Sequence, residues 1–521
     1  MISRTGVNKL LQGVFFAYML FIIPAAAMYT FWRHSLVLPL FILPAAVLGV
    51  CVYRRRASLP DLFSKLRSWL ARPLEMKLFV LFVAVLMIAQ LCVHLWFAFE
   101  MRLWPLVDRG FIYDTAVEVA ESNGWVVRSE LQNAYFLTYG NNIPILVLTA
   151  GFFKLVRNFG ASDYYAWYTV LNVAVINLSV LIAGFLAQRH YGRRACVLFH
   201  MICLLSAPLC MFGAYVYTDA FALFGASGAV LYYDSALQAY DKGDKLRMFV
   251  NAVLAALFLC FGAEMKITVL IVAIAAVIHG VLTRRVKFSA LVCGLLAMFM
   301  LCVNTGIGKI HMIDDTDKEY FAFPYIHWIM LGLSEDQTDG TDANYTASFG
   351  GREAKIDADM EMIRIRLSER GALGSVWFLF RKAAYTWGDG EFTMPSYFSD
   401  GMLVSQTPWR DWFWDDSDSV QYHVQGLLAG VHYIILLIFM ALSLYRGMMR
   451  GDFGQSFIWK LSLAGLGLFL LLWESSPRYL FQFYTLIILA ALDGFMTTGK
   501  PGEHDGVGRN EAFNETVTGI S

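Results

Sequence analysis

Between Phe249 and Thr283 the chain carries only two charged side chains, Glu264 and Lys266, and Glu474 and Arg478 interrupt its last apolar stretch in the same way. Runs of this length constrain the fold more than any other feature, because about 20 consecutive apolar residues suffice to cross a bilayer. The chain is 58% hydrophobic and 16% charged, against about 25% charged residues in soluble domains. The sequence therefore reads as an all-α polytopic membrane protein. A charge inside a spanning segment costs roughly 2.5–3.5 kcal/mol even on the lenient insertion scale, so Lys266 and Arg478 are expected to face protein, water or a ligand.

Twelve stretches have spanning length: 11–32, 36–53, 77–98, 165–187, 194–213, 219–237, 247–263, 266–283, 287–304, 426–445, 455–473 and 479–496. The apolar stretch 143–157 is short and reads as an interfacial or re-entrant helix. With the N-terminus inside, each basic short loop falls on the cytoplasmic side, as positive residues should. These loops contain Arg54-Arg55-Arg56, Arg193-Arg194, Lys242, Arg284-Arg285 and Arg446. The expectation is a multi-pass protein of the cell (plasma) membrane with both termini cytoplasmic. The division is 1–76, two spans and a basic cytoplasmic loop; 77–304, a membrane core with a first outer loop 99–164; 305–425, a large extracytoplasmic loop or cap; 426–499, the last spans; and 500–521, a polar tail expected to be disordered. The 305–425 segment is too long for a linker and too aromatic for disorder.

All eight cysteines fall in apolar stretches, which argues against a disulfide framework or a Cys-based metal site. No basic-aromatic array suggests nucleic acid. No Walker loop, dinucleotide fingerprint or Gly-x-Ser-x-Gly elbow is present. The acidic runs of the large loop lack the ligand spacing of a calcium loop, so no cofactor is expected and a divalent metal has no support from spacing.

The residues with chemical potential gather on the outer side. Asp108 and Asp114 follow span 77–98; either is placed to take a proton from an incoming hydroxyl, and either is equally a solvated loop residue or a partner for Arg109. Tyr139, Asn141 and Asn142 precede the re-entrant stretch, where asparagine caps a helix or orients a sugar hydroxyl. Tyr217 and Asp219 open a span; Asp219 serves as its cap, or binds sugar hydroxyls, or positions a donor. Lys266 and Arg478 snorkel to headgroups, pair with Glu264 and Glu474, or hold an anionic group at the bilayer edge, for which a lipid phosphate is the obvious candidate. Trp387 and Asp389 lie in a Trp-Gly-Asp-Gly stretch of the large loop.

The order of these features resembles the integral-membrane glycosyltransferases of the glycosyltransferase-C type, notably the bacterial protein mannosyltransferase and aminoarabinose transferase group. Asp108 stands where relatives carry an acidic residue in the first outer loop. Tyr139–Asn142 resembles their Tyr-x-Asn-Asn element, with Gly140 where proline is frequent, and Tyr217–Asp219 their Tyr-x-Asp helix start. Gly262–Lys266 is similar to a Gly-x-x-x-Lys hairpin, and Arg478-Tyr479-Leu480 to a late Arg-Tyr-Leu. The likeness covers about 77–496 and leaves the first two spans as an addition. Relatives often place two acidic residues close together, whereas Asp114 is further on, so the base is Asp108 or Asp114. The resemblance implies a polyprenyl-phosphate sugar donor, and an acceptor hydroxyl on a cell-envelope glycan, glycolipid or protein. It implies Lys266 and Arg478 on the donor phosphate, inversion at the anomeric carbon, and Tyr139, Asn141, Asn142, Tyr217, Asp219, Glu264, Trp387 and Asp389 near the sugar or acceptor. Two other classes stay open: a lipid-linked sugar flippase or transporter using the same cations, and a non-catalytic scaffold for envelope assembly. A transporter site usually lies at the midplane between internal repeats, and no repeat is visible.

Overall fold

The computed structural model describes residues 4–41, 44–45, 50, 54, 59–122, 124–160, 162–335, 340–399, 402–416, 418–451 and 456–497. Half of the 36–53 stretch, including Cys51, and the whole 500–521 tail lie outside them. Among the described residues, eight helices are long and apolar enough to cross a membrane: Thr5–Arg33, Met76–Glu100, Tyr164–Tyr191, Thr218–Asp241, Lys245–Met265, Val286–Ile310, Val420–Arg450 and Pro477–Met496. Two further apolar helices, Ile267–Thr283 and Phe457–Leu472, are shorter.

The 194–213 stretch is not one straight span. Arg193–Leu204 and Ala207–Ala214 meet at 54°, because Pro208 in the first turn of the second helix has no N–H to continue the first. The expected re-entrant stretch is likewise the second limb of a bent pair, Glu130–Thr138 and Gly140–Asn158, folded by 102°. Its break at Tyr139–Asn142 carries three of the candidate residues.

The two N-terminal spans expected as an addition divide differently. Helix Arg4–Arg33 is built into the bundle along Val420–Arg450. A Cβ at Gly430 would strike Thr30, and one at Gly447 would strike Gln12, so small residues let the two backbones approach, as at other membrane helix interfaces. The 305–425 segment is helical over much of its described length. Its helices include Tyr325–Gly332, Thr341–Ala347 and Arg352–Gly388, the last broken at Gly371 with φ 61°. Among the described residues its one strand-like contact is a bridge between Leu103 and Leu403.

Most of the basic short loops gather at one end of the bundle. Arg193 donates to the Leu74 carbonyl at 2.8 Å, Arg194 to that of Trp69 at 3.0 Å, and Arg285 pairs with Asp241 at 2.8 Å. Arg446 holds the Gly494 carbonyl, and Tyr191 donates to Asp493 at 2.8 Å. The opposite end bears the outer helices and the candidate residues.

Candidate functional site

The turn before Asp108 is forced by its sequence. Val107 has φ 54°, a costly conformation for a β-branched residue. A Cβ at Gly110 would meet the Pro105 carbonyl at 2.6 Å, so only glycine permits this close return. Helix Asp108–Glu121 starts there, and its N-terminal dipole favours the Asp108 carboxylate. Tyr135 donates to Asp108 Oδ1 at 2.7 Å and Tyr217 to Oδ2 at 3.4 Å. Asn142 closes the ring: its Nδ2 donates to the Tyr135 oxygen at 2.7 Å, and its Oδ1 accepts from Tyr217 at 3.1 Å. Asn141 joins through Asn142 at 3.4 Å. The half-exposed Asp108 is thus oriented by two phenols. Arg109, a possible partner in sequence, makes no ion pair with it.

A second group adjoins this ring through Tyr217. Asp219 is fully buried in the first turn of Thr218–Asp241. It does not cap that helix; it accepts from Lys266 Nζ at 2.5 Å. Lys266 stands in extended conformation where Lys245–Met265 ends. Glycine brings the two helices together, since a Cβ at Gly225 would lie 2.4 Å from Gly262 Cα. Arg478 sits in the 3₁₀ turn Pro477–Phe483, which Gln482 ties to Thr268 beside Lys266. Its guanidinium donates to the Tyr215 and Tyr397 hydroxyls and lies 3.9 Å from Asp219 Oδ2. The Tyr479 ring lies 4.3 Å from the Lys266 ammonium and 5.4 Å from the Arg478 guanidinium. Tyr479 also donates to Glu474 at 2.7 Å, and burial raises the Glu474 carboxyl above its usual range.

The structure therefore brings Asp108, Tyr139, Asn141, Asn142, Tyr217, Asp219, Lys266 and Arg478 together. Tyr139 packs 5.1 Å from Tyr135 and 5.6 Å from Phe323. Four candidates lie elsewhere. Asp114 is exposed on its helix, with its carboxyl raised by burial of its surroundings. Glu264 accepts from Asn304 at 2.9 Å rather than from Lys266. Trp387 is fully buried, edge-on to Tyr18 at 6.3 Å. Asp389 caps its own loop, accepting from the Glu391 and Thr393 amides at 2.9 and 2.6 Å.

Four residues of the cluster are not among the site candidates that the sequence offers. Tyr135 lies one helical turn before Tyr139, a spacing that puts both on one face. Tyr215 adjoins the Tyr217–Asp219 element. Tyr397 comes from the large loop, with no local signal. Arg109 is 7% exposed and stacks over the Tyr215 ring at 4.4 Å, with its Nη1 buried and without a hydrogen-bond partner. Among the described residues no group of three or more His, Cys, Asp or Glu is placed to hold a metal ion.

Fold and site define an all-helical, multi-pass integral membrane protein with a polar cluster at one end of its bundle. The model of a family described as "conserved hypothetical integral membrane protein" matches residues 35–496, and the chain belongs to that family. No curated protein and no solved structure matches the chain.

Proposed function

We propose that this protein is a glycosyltransferase-C-like enzyme that moves a sugar from a polyprenyl-phosphate donor to an acceptor hydroxyl at the extracytoplasmic face of the cell membrane, with both termini cytoplasmic. One observation carries the reading: an oriented carboxylate, Asp108, shares Tyr217 with a cluster of three cations, Lys266, Arg478 and Arg109, of which only Lys266 is closely paired.

In this mechanism Asp108 takes the acceptor proton. The acceptor oxygen attacks the anomeric carbon from the face opposite the phosphate, and the bond from that carbon to the phosphate oxygen breaks with inversion. The donor phosphodiester carries one negative charge; the departing phosphate monoester carries approximately −1.5 to −2 at pH 7. Cations already fixed in a low-dielectric site favour that added charge without reorganising. Arg109 has no competing carboxylate, and Asp219 offsets part of the Lys266 charge. The phosphate leaves as a stable anion and requires no general acid. Tyr139, Asn141 and Asn142 would face the sugar or the acceptor.

The test is release of free polyprenyl phosphate from lipid-linked sugars by the purified protein, with and without a membrane-extract acceptor. Acceptor-dependent release that disappears in Asp108→Asn supports transfer. Tight donor binding without release under any condition would replace this reading with lipid-linked sugar translocation.

A further inference from the structure

The chain between the first helix and Met76–Glu100 carries a second surface with chemistry of its own. Helix Leu59–Ala71 follows the Arg54-Arg55-Arg56 run. Leu62, Phe63, Leu66 and Trp69 fall on one face by helical spacing, and they are 58%, 40%, 41% and 51% exposed. Lys65 and Arg67 flank that face on its two sides, while Ser64 and Ser68 lie opposite. This is the arrangement of a helix lying in a membrane interface, with its cations at the polar–apolar boundary where their stems snorkel.

Three observations fix what covers the face. First, the helix is tethered at the basic end of the bundle. Arg194 donates to the Trp69 carbonyl and stacks over its ring at 4.7 Å, and Arg193 holds the Leu74 carbonyl. Second, the next helix, which follows closely after Pro73, also exposes apolar side chains, at Leu78, Leu81 and Phe82. Third, Arg67 and Arg450 each lie within Coulombic reach of Arg446. The Arg67 Nε is buried without a hydrogen-bond partner, and Arg446 is held in place by its Nη1, which donates to the Gly494 and Thr497 carbonyls. Clustered cations at an apolar boundary call for an anion that comes with hydrocarbon.

We propose that Leu59–Ala71 is an interfacial helix docked on the anionic headgroup layer at the basic end of the bundle, with its apolar face in the acyl boundary and Arg67 and Arg446 on a lipid phosphate. Juxtamembrane Lys and Arg gain from such a surface and lose the gain in zwitterionic lipid.

Nitroxide labels at Leu66→Cys and Ser64→Cys test this in full-length protein lacking its native cysteines. The protein is held in nanodiscs of phosphatidylcholine with or without phosphatidylglycerol. The label at 66 is expected to collide more with oxygen than with a water-soluble nickel complex, and the label at 64 the reverse. Phosphatidylglycerol widens the contrast, and Arg67→Gln abolishes the widening. Hydrogen exchange of the unmodified chain guards against a misfolded variant: amides 59–71 exchange more slowly with phosphatidylglycerol present. Water-facing behaviour at both labels, shielding of position 66 from both reagents (a protein cover), or equal exchange in the two lipids would overturn the proposal.

Discussion

Lys266 Nζ lies 2.5 Å from Asp219 Oδ1, joining the first turn of one membrane helix to the broken end of the next. The carboxylate is completely buried, and its other oxygen has no hydrogen-bond partner. The pair therefore ties the two helices together; in the proposed reaction Lys266 turns from it to the donor phosphate.

Removing one member of such a pair strands a charge, at a cost of about 3–5 kcal/mol. Asp219→Asn is expected to lower thermal stability in detergent and to enlarge the stabilisation given by polyprenyl phosphate, which then neutralises Lys266. Asp219→Asn combined with Lys266→Met should recover part of the stability and lose the ligand effect. An unchanged ligand shift in the double variant would remove Lys266 from the anion site.

Asp108→Asn keeps the shape of the tyrosine ring and removes the carboxylate proposed as the base. Transfer should fall roughly 10²–10⁴-fold, the ordinary contribution of a general base, with donor binding little altered. Tyr135→Phe removes the 2.7 Å hydrogen bond that orients Asp108 and should give a smaller loss. Initial rates against donor concentration separate the two effects. Normal turnover by Asp108→Asn would falsify the assignment.

Arg109→Gln should weaken retention of the free lipid phosphate more than binding of the sugar-loaded donor, because the extra charge appears only on departure. Competitive inhibition by polyprenyl phosphate measures this. Equal losses for product and donor would make Arg109 a packing residue of the Tyr215 ring.

A second polar cluster sets the pH dependence of stability. Burial, and then the neighbouring Asp389, raises the Glu391 carboxyl to about 8, from an ordinary 4.5. Burial lowers His34, 3.5 Å away, from 6.5 to about 4. Arg33, Asp415 and His423 complete the surroundings. The folded chain keeps the Glu391 proton that the unfolded chain loses above 4.5, so this term falls as pH rises toward 8. The His34 term acts oppositely and is lost as pH falls from 6.5 toward 4. The two slopes oppose each other below 6.5, so the contribution of this cluster declines between 6.5 and about 8, while Lys382, lowered by burial from 10.5 to about 7, adds an opposite slope above 7. The unfolding temperature of the wild type relative to Glu391→Gln should fall as pH rises across that window; a difference that stays constant or grows there would contradict the burial argument.

Close packing at Gly225 carries a structural prediction. Its missing Cβ leaves room for the Gly262 backbone, and backbone cannot yield as a side-chain tip does. Gly225→Ala should spread the two helices, separate Asp219 from Lys266 and lower both stability and donor binding. Gly294→Ala, where nothing lies within 4 Å, is the control expected to be silent.

Sequence alone determined the helical membrane class, most span positions and the grouping of basic loops, because hydropathy and charge act locally and the bilayer rewards them regardless of partners. It also pointed to Asp108, Asp219, Lys266 and Arg478, since a charge at the edge of an apolar run is conspicuous. Tertiary structure decided their pairing. Lys266 chose Asp219 over the nearby Glu264, because glycine contacts between helices, not chain separation, set which carboxylate comes within reach. It excluded Trp387 and Asp389, whose loop is taken up by packing and capping near the first helix, and it brought in Tyr397 from a segment with no local mark. It also bent the 194–213 stretch, which hydropathy reads as continuous, at Pro208, since a mean over apolar residues does not register a missing N–H.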